Sequence, residues 1–345
     1  AAYPVFEICE MPPEENSGRL PDASLTTRFA LKAAGEALDD AGLNRKMLQS
    51  ARVGVCVGTT VGAAMNSLAF YRNFRSNLRP DMEAITRFLN SNPARVVAER
   101  YSAAGPYQTV VNACSSGTDA LGIGAAWIRS GYCEVVIAGG ADELCRVTYD
   151  GFISLMITDN SRCRPFDARR KGLNLGEGAA MLILESETHR RKRGRSPMAM
   201  LSGFGSACDA YHLTTPSPNG AGLKKAIATA MSSCPASTDE IAFINAHGTG
   251  TLENDRIEGQ VLQQLFDGVP YLSTKGYTGH TLGAAGAIEA AFTVACLCAG
   301  EIPGSAGFET PDPALPSPPV RYKTAVDGRL AISESLAFGG NNSVL

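Results

Sequence analysis

A chain of 345 residues that is 44% hydrophobic can bury one large core or two fused halves. Its 31 basic and 34 acidic residues nearly balance, which argues against a nucleic-acid-binding surface. Ten cysteines without a CxxC pair argue against a metal site or a disulfide framework and suit a reducing cytoplasm.

The opening AAYPVFEICEMPPEE is acidic and lacks the charged lead and apolar stretch of a signal peptide, and no apolar run is expected to reach membrane-spanning length. Leu25 to Ala41 reads as an amphipathic helix stopped by Gly42. Arg52 to Thr60 reads as a buried strand with a glycine exit, and Asp81 to Tyr101 as a helix broken near Asn92 and Pro93. YQTVVNA leads to Cys114, after which SSGT turns the chain into the apolar run DALGIGAAWIRSG, a buried helix. EVVIAGGADEL is another buried strand. GAAMLILES and MAMLSGFGSA read as strands flanking a basic turn, HRRKRGRS. Gly222 to Ser233 is predicted helical, EIAFINAHG a strand, and Arg256 to Phe266 a helix. A long alanine-rich helix follows His280 to about Ala299, and RLAISESLAFGGNN closes the chain with a strand and a glycine loop. Strands alternating with helices indicate an α/β fold with mostly parallel sheets. The order of strand, reactive residue, small turn and Ala/Gly-rich helix occurs around Cys114 and again around His280.

Three segments carry the chemistry: VVNACSSGTDALG with Cys114, INAHGTGT with His247, and KGYTGHTLGAAGAIEA with His280. A free cysteine is ordinarily a small buried hydrophobe, but Cys114 falls at a predicted helix N-terminus. Unpaired amides and the positive end of the helix dipole there favour thiolate without a dedicated base, and the same amides can bind an oxyanion. His189, in ETHRRKRGR, reads as a solvated loop residue. For His212 a structural hydrogen bond weighs at least as much as a substrate contact.

Further motifs stand in order along the chain: RPFDARRKGLNLGEGAAMLILE (Arg164 to Glu185), DAYHLTTPSPNG (Asp209 to Gly220) and SLAFGGNNS (Ser335 to Ser343). With the three reactive segments they make the chain resemble the β-ketoacyl synthases, condensing enzymes with a Cys, His, His site, from about Ser24 to the C-terminus. The resemblance implies a thiolase-like five-layered α-β-α-β-α fold from two similar halves, residues 1–190 with the nucleophile and 196–345 with both histidines. It implies an acyltransferase in which Cys114 accepts an acyl chain and His247 and His280, as neutral imidazoles, hold the enolate left when a malonyl thioester loses carbon dioxide. Backbone amides of Cys114 and Phe338 would form the oxyanion hole, with Phe338 also resembling a gate at the acyl pocket. Lys275 and Glu289 resemble a pair that orients the second histidine. Thr249 and Thr251 resemble the threonines that bind a phosphopantetheine arm, and Glu258 a carboxylate behind the site.

No resident cofactor is implied, because the phosphopantetheine is carried by an acyl carrier protein. That acidic partner would meet a basic patch, with Arg19, Arg28, Arg72, Arg75 and the 190–195 cluster as candidates. A homodimer is implied, and the alternative is a subunit of a ketosynthase heterodimer acting mainly as a structural or chain-length partner. Against competing classes, no cysteine follows Cys298 as a thiolase requires, position 280 is not the asparagine of an initiating synthase, Cys114 is present, and GxSxG is absent. The chain departs from the family pattern in lacking an opening strand like VVVTGxG and in Ala337 and Asn341 within AFGGNN. That variant is similar to ketosynthases of aryl-polyene and pigment pathways, so elongation of a fatty acid, a polyketide or a polyene fits the pattern.

Overall fold

The computed structural model describes residues 3–10, 23–62 and 64–345; Arg19, one of the partner-surface candidates, lies outside the described residues. Two sheets form its frame. In the first, Tyr107–Val110, Val53–Gly58 and Val135–Asp142 run parallel in that order and Gly178–Glu185 adds antiparallel. In the second, Tyr271–Leu272, Ile241–Asn245 and Leu330–Ala337 run parallel, followed by antiparallel Asn341–Val344 and Gly205–Cys208. The two halves thus repeat one topology: a central strand, an edge strand, a helix, a third strand on the other side, then an antiparallel return.

Helices complete five layers. Leu25–Ala41 and Pro93–Tyr101 cover the outer face of the first sheet, and Ala221–Ser232 and Leu252–Leu265 lie on the outer side of the second half. Between the sheets lie Ser116–Arg129 and Ala285–Ala299, which pack on each other; the first contacts Val53–Gly58 and Val135–Asp142, the second Gly178–Glu185 and Leu330–Ala337. Every residue of Val53–Gly58 and Val135–Asp142 is buried, as parallel strands covered on both faces must be.

Local chemistry explains the boundaries. Ser24 caps Leu25–Ala41 by accepting from the Thr27 amide at 3.3 Å, a contact worth about 1 kcal/mol. Gly42 ends that helix in the left-handed conformation, φ 64°. The sheet-side positions Phe29, Ala30, Ala34 and Leu38 are buried at helical spacing.

Several expectations need correction. HRRKRGRS is helical over Glu187–Arg193, capped by Ser186 and Gly194, so His189 is a half-buried helix residue whose Nδ1 lies 2.5 Å from Glu185 Oε1. Within MAMLSGFGSA only the end pairs as a strand, in Gly205–Cys208. The helix expected from Arg256 begins at Leu252. Finally, one apolar stretch does have membrane-spanning length: Leu282–Ala299, 18 residues with mean hydropathy 1.8. It is the central-layer segment that packs between the two sheets, half buried, with Glu289 ion-paired inside.

Candidate active site

Cys114 sits on a sharp turn. Ala113 is left-handed at φ 49°, which swings the chain from the strand Tyr107–Val110 into the helix Ser116–Arg129. The turn is braced by Ser116, whose hydroxyl accepts from Asn112 N at 2.8 Å and donates to Ala113 O at 2.7 Å. Asp119 Oδ2 accepts from Asn112 Nδ2 at 2.7 Å and from Ser115 at 3.0 Å, while its Oδ1 accepts from Ser343 at 2.5 Å. Ser343 belongs to the other half, so the nucleophile turn is tied to the C-terminal strand.

The structure brings Cys114, His247 and His280 together, all buried. His280 Nε2 lies 2.9 Å from Cys114 Sγ, and the two imidazoles meet edge to face with centroids 5.4 Å apart. They line a cavity of about 220 Å³ with Thr249, Thr251, Phe152 and Phe338. The Phe338 backbone amide lies near the Cys114 sulfur and favours its anion. The Phe338 ring stacks on Phe152 at 5.4 Å and 18° between planes, and Phe152 meets the His280 ring edge-on at 6.4 Å. Phe152, from the helix Arg146–Ser154, was missed in the sequence, where a single aromatic on a short helix carries no motif.

Burial sets the protonation states. The Cys114 thiol is pushed up to about 12, because burial outweighs the nearby Lys275 charge and the Phe338 amide. The expectation of a thiolate formed without a base is therefore corrected: the resting group is a thiol, and His280 Nε2 is the base in reach. Both imidazoles are held well below 6.5, by burial first and by Lys275 second, and are neutral at ordinary pH. A neutral Nε2 accepts the thiol proton, which places the His280 proton on Nδ1, a buried atom with no hydrogen-bond partner among the described residues.

Lys275 corrects a second expectation. Its Nζ does not orient the second histidine but the first: it donates to His247 Nδ1 at 3.1 Å and to the His247 carbonyl at 2.6 Å. Its remaining partner is Glu289, in a buried ion pair. With Nδ1 accepting, the single imidazole proton of His247 stands on Nε2 as a donor. The reason lies in the short helix Lys275–Thr278, which separates Lys275 from His280 and leaves its side chain beside the Ala246–His247 turn. Burial pushes the Glu289 carboxyl up to about 7 against the lowering influence of Lys275.

Glu258 reaches back from the helix Leu252–Leu265 and accepts from the His247 and Gly248 amides at 2.6 and 2.8 Å, fixing the turn that presents His247. Burial raises this carboxyl to about 7. Thr249 and Thr251 hydroxyls lie 2.9 Å apart on the cavity wall. Behind Phe338, Gly339 N donates to Leu213 O and Asp209 N to Gly340 O, each at 2.7 Å, and Asn341 Nδ2 donates to Phe338 O at 3.2 Å. His212 is exposed, and its Nδ1 accepts from the Thr214 and Thr215 amides at 3.2 Å, the structural one of its two readings.

Among the basic candidates, Arg28 is half-buried, Arg72 and Arg75 are exposed, and the 190–195 cluster is largely tied down. Arg190 and Arg191 pair with Glu187, and Arg193 with Glu185 and the Ala41 and Gly42 carbonyls. None of these lines the cavity, whose lining cation is Lys171.

Comparison with known proteins agrees with this geometry. Residues 17–190 match the N-terminal domain of β-ketoacyl synthases and residues 198–309 the C-terminal domain. The chain is 33% identical over 356 residues to a putative mitochondrial 3-oxoacyl-[acyl-carrier-protein] synthase of Schizosaccharomyces pombe, covering 96% of this chain and 82% of that one. The ishigamide ketosynthase/chain length factor superposes with TM-score 0.87 at 32% identity, over 96% of this chain and 85% of that one. A type II polyketide ketosynthase, AntDE, solved in complex with its acyl carrier protein AntF, superposes with TM-score 0.87 at 28% identity, over 94% and 85%. With both halves matched, the chain belongs to the β-ketoacyl synthase family and is a condensing acyltransferase that joins an acyl group to a malonyl unit with loss of carbon dioxide.

Proposed function

We propose that Cys114 is the acyl acceptor, loaded from an acyl carrier protein, and that malonyl-acyl carrier protein is the extender. The observation that carries this reading is the 2.9 Å contact between Cys114 Sγ and His280 Nε2 inside the cavity that His247 shares. In the loading step the thiol proton passes to His280 Nε2 and the sulfur attacks the acyl thioester. The carrier thiolate leaves and takes that proton.

Acylated Cys114 no longer donates to His280. Its proton, unheld at Nδ1, then moves to Nε2, so both imidazoles offer Nε2–H to the cavity. When the malonyl thioester breaks its bond to carbon dioxide, the electron pair becomes an enolate whose oxygen these two donors hold. The enolate carbon attacks the acyl carbonyl, whose oxygen is received by the Cys114 and Phe338 amides. Collapse breaks the bond to sulfur, releases Cys114 as a thiolate that regains its proton from solvent, and yields a 3-oxoacyl thioester two carbons longer. Thr249 and Thr251 are assigned to the pantetheine arm. No resident cofactor enters the scheme.

The edge strand Tyr107–Val110 favours a dimer through that edge: Tyr107 and the adjacent Val111 are exposed, and one side of the strand is unpaired. The likeness to a ketosynthase/chain length factor supports a heterodimer as the second arrangement. A purely structural partner would leave the buried Cys114–His280 contact without a task. Ten free cysteines favour a reducing compartment.

Intact-mass measurement after exposure to a panel of acyl carrier thioesters tests the reading. An adduct on the native chain, absent from Cys114→Ala, is expected, and the donors that load best separate fatty-acid from polyketide or polyene substrates. A folded chain that takes no adduct from any donor, with or without a partner subunit, contradicts it.

A further inference from the structure

Behind the His247 turn, on the side away from the cavity, several carboxyl groups share few cations. Lys275 is spent on Glu289, and Arg170 lies 2.6 Å from Asp312 and 3.8 Å from Asp255. Glu334 stands in the middle of Leu330–Ala337, wholly buried, and among the described residues no N–H or O–H donates to either of its carboxyl oxygens. Its strand runs beside Ile241–Asn245 with Ser333 opposite Asn245, which sets Glu334 alongside the start of the His247 turn that Glu258 holds, and the charge it feels there is the Glu258 carboxyl. Beyond Glu258 the charges are Asp255 on the same helix and Lys275 across the turn, with the buried Tyr271 phenol also in range.

Two ionised carboxylates cannot donate to each other, and side by side in a buried site they repel. One proton resolves both problems, and the surroundings decide which group carries it. Glu258 receives three N–H donors, from His247 at 2.6 Å, Gly248 at 2.8 Å and Asn254 Nδ2 at 3.1 Å, an environment built for a carboxylate. Glu334 receives none. We infer that Glu334 is held as a neutral carboxylic acid that donates to the Glu258 carboxylate, and that this shared proton positions the His247–Gly248 turn for condensation.

Glu334 is thus a positioning residue: it acts on the Nε2–H of His247 through Glu258 and two backbone amides. Burial, with Glu258 alongside, lifts the Glu334 carboxyl well above the ordinary range, in the direction the pairing requires. The positioning role, unlike the shared proton, rests on the proposed function of His247.

Infrared difference spectra of the folded wild type against Glu334→Gln at neutral pH test the proton directly. The C=O stretch of a protonated carboxylic acid is expected in the wild type and lost in the variant; a wild type without that band overturns the pairing. For the positioning role, Glu334→Leu is expected to lower kcat for condensation about tenfold with KM and Cys114 acylation held, and Glu334→Gln, which restores an N–H donor, to recover most of the loss. Equal loss in both variants, or no loss in a folded Glu334→Leu, overturns it. Should Glu334→Leu fail to fold, the infrared band and the Glu334→Gln kinetics decide. A wild type that shows the band but condenses nothing refutes the function proposed for the site and leaves the shared proton standing.

Discussion

The Cys114 turn and the His280 turn occupy matching places in the two halves. Each follows the edge strand of its parallel set, Tyr107–Val110 or Tyr271–Leu272, and each precedes the central-layer helix, Ser116–Arg129 or Ala285–Ala299. Each also needs left-handed backbone: Ala113 at φ 49° in the first, Gly279 at 65° and Leu282 at 55° in the second. One scaffold therefore delivers a sulfur from one side and an imidazole from the other, 2.9 Å apart. Burial acts on the two in opposite directions, raising the thiol and lowering the imidazole, and so favours the uncharged form of both. The halves differ in what supports the reactive group. The first braces its turn with Asp119 and serines; the second adds His247, locked by Lys275 and Glu258 from behind.

Removing the sulfur breaks the comparison most completely. Cys114→Ala is expected to lower condensation by about 10⁴-fold or more in steady-state assays of 3-oxoacyl product. Replacing the imidazoles separates the halves' tasks. His247→Ala should lose about 10²–10³-fold in condensation while Cys114 still acylates, as read by single-turnover kinetics and intact mass. Lys275→Met, which frees His247 to place its proton on Nδ1, should cost about 10–100-fold in kcat with acylation again spared. Equal damage to acylation and condensation would show that Lys275 serves the fold rather than the tautomer.

The contact between the two central helices is open to a test of stability. A Cβ on Gly117 would fall 2.8 Å from Ala287 N and 2.9 Å from Gly283 O. Gly117→Ala should therefore lose about 1–3 kcal/mol in denaturant unfolding. The smallest effect concerns pH. An ordinary thiol approaches full ionisation near pH 10.5, but Cys114, raised to about 12, should react with iodoacetamide at a rate still climbing steeply there. A plateau by pH 8 would show that the sulfur is already thiolate.

The reactive residues were legible in the sequence because each is a local pattern: apolar strand, reactive side chain, small residues, helix. The repeat of that pattern is consistent with the two similar halves that the family resemblance implied. What the sequence hid is non-local. Lys275 is five residues from His280, yet the turn of Lys275–Thr278 delivers its ammonium to His247, 28 positions away. Glu334 reads as an ordinary polar residue in a strand, and only the pairing of Leu330–Ala337 with Ile241–Asn245 places it beside Glu258. The thiolate expectation failed because helix-start chemistry was weighed without burial. The segment HRRKRGRS lacks an apolar stripe, so its helix is set by the caps Ser186 and Gly194 rather than by periodicity.

In the proposed scheme His280 serves acyl loading while both histidines serve condensation. Single-turnover acylation of Cys114, followed by intact mass in wild type, His247→Ala and His280→Ala, tests it most directly. Near-normal loading is expected in His247→Ala, and loading slowed by about two orders of magnitude in His280→Ala. Loading that is unchanged in a folded His280→Ala would contradict it, and would return Cys114 to activation by its helix alone.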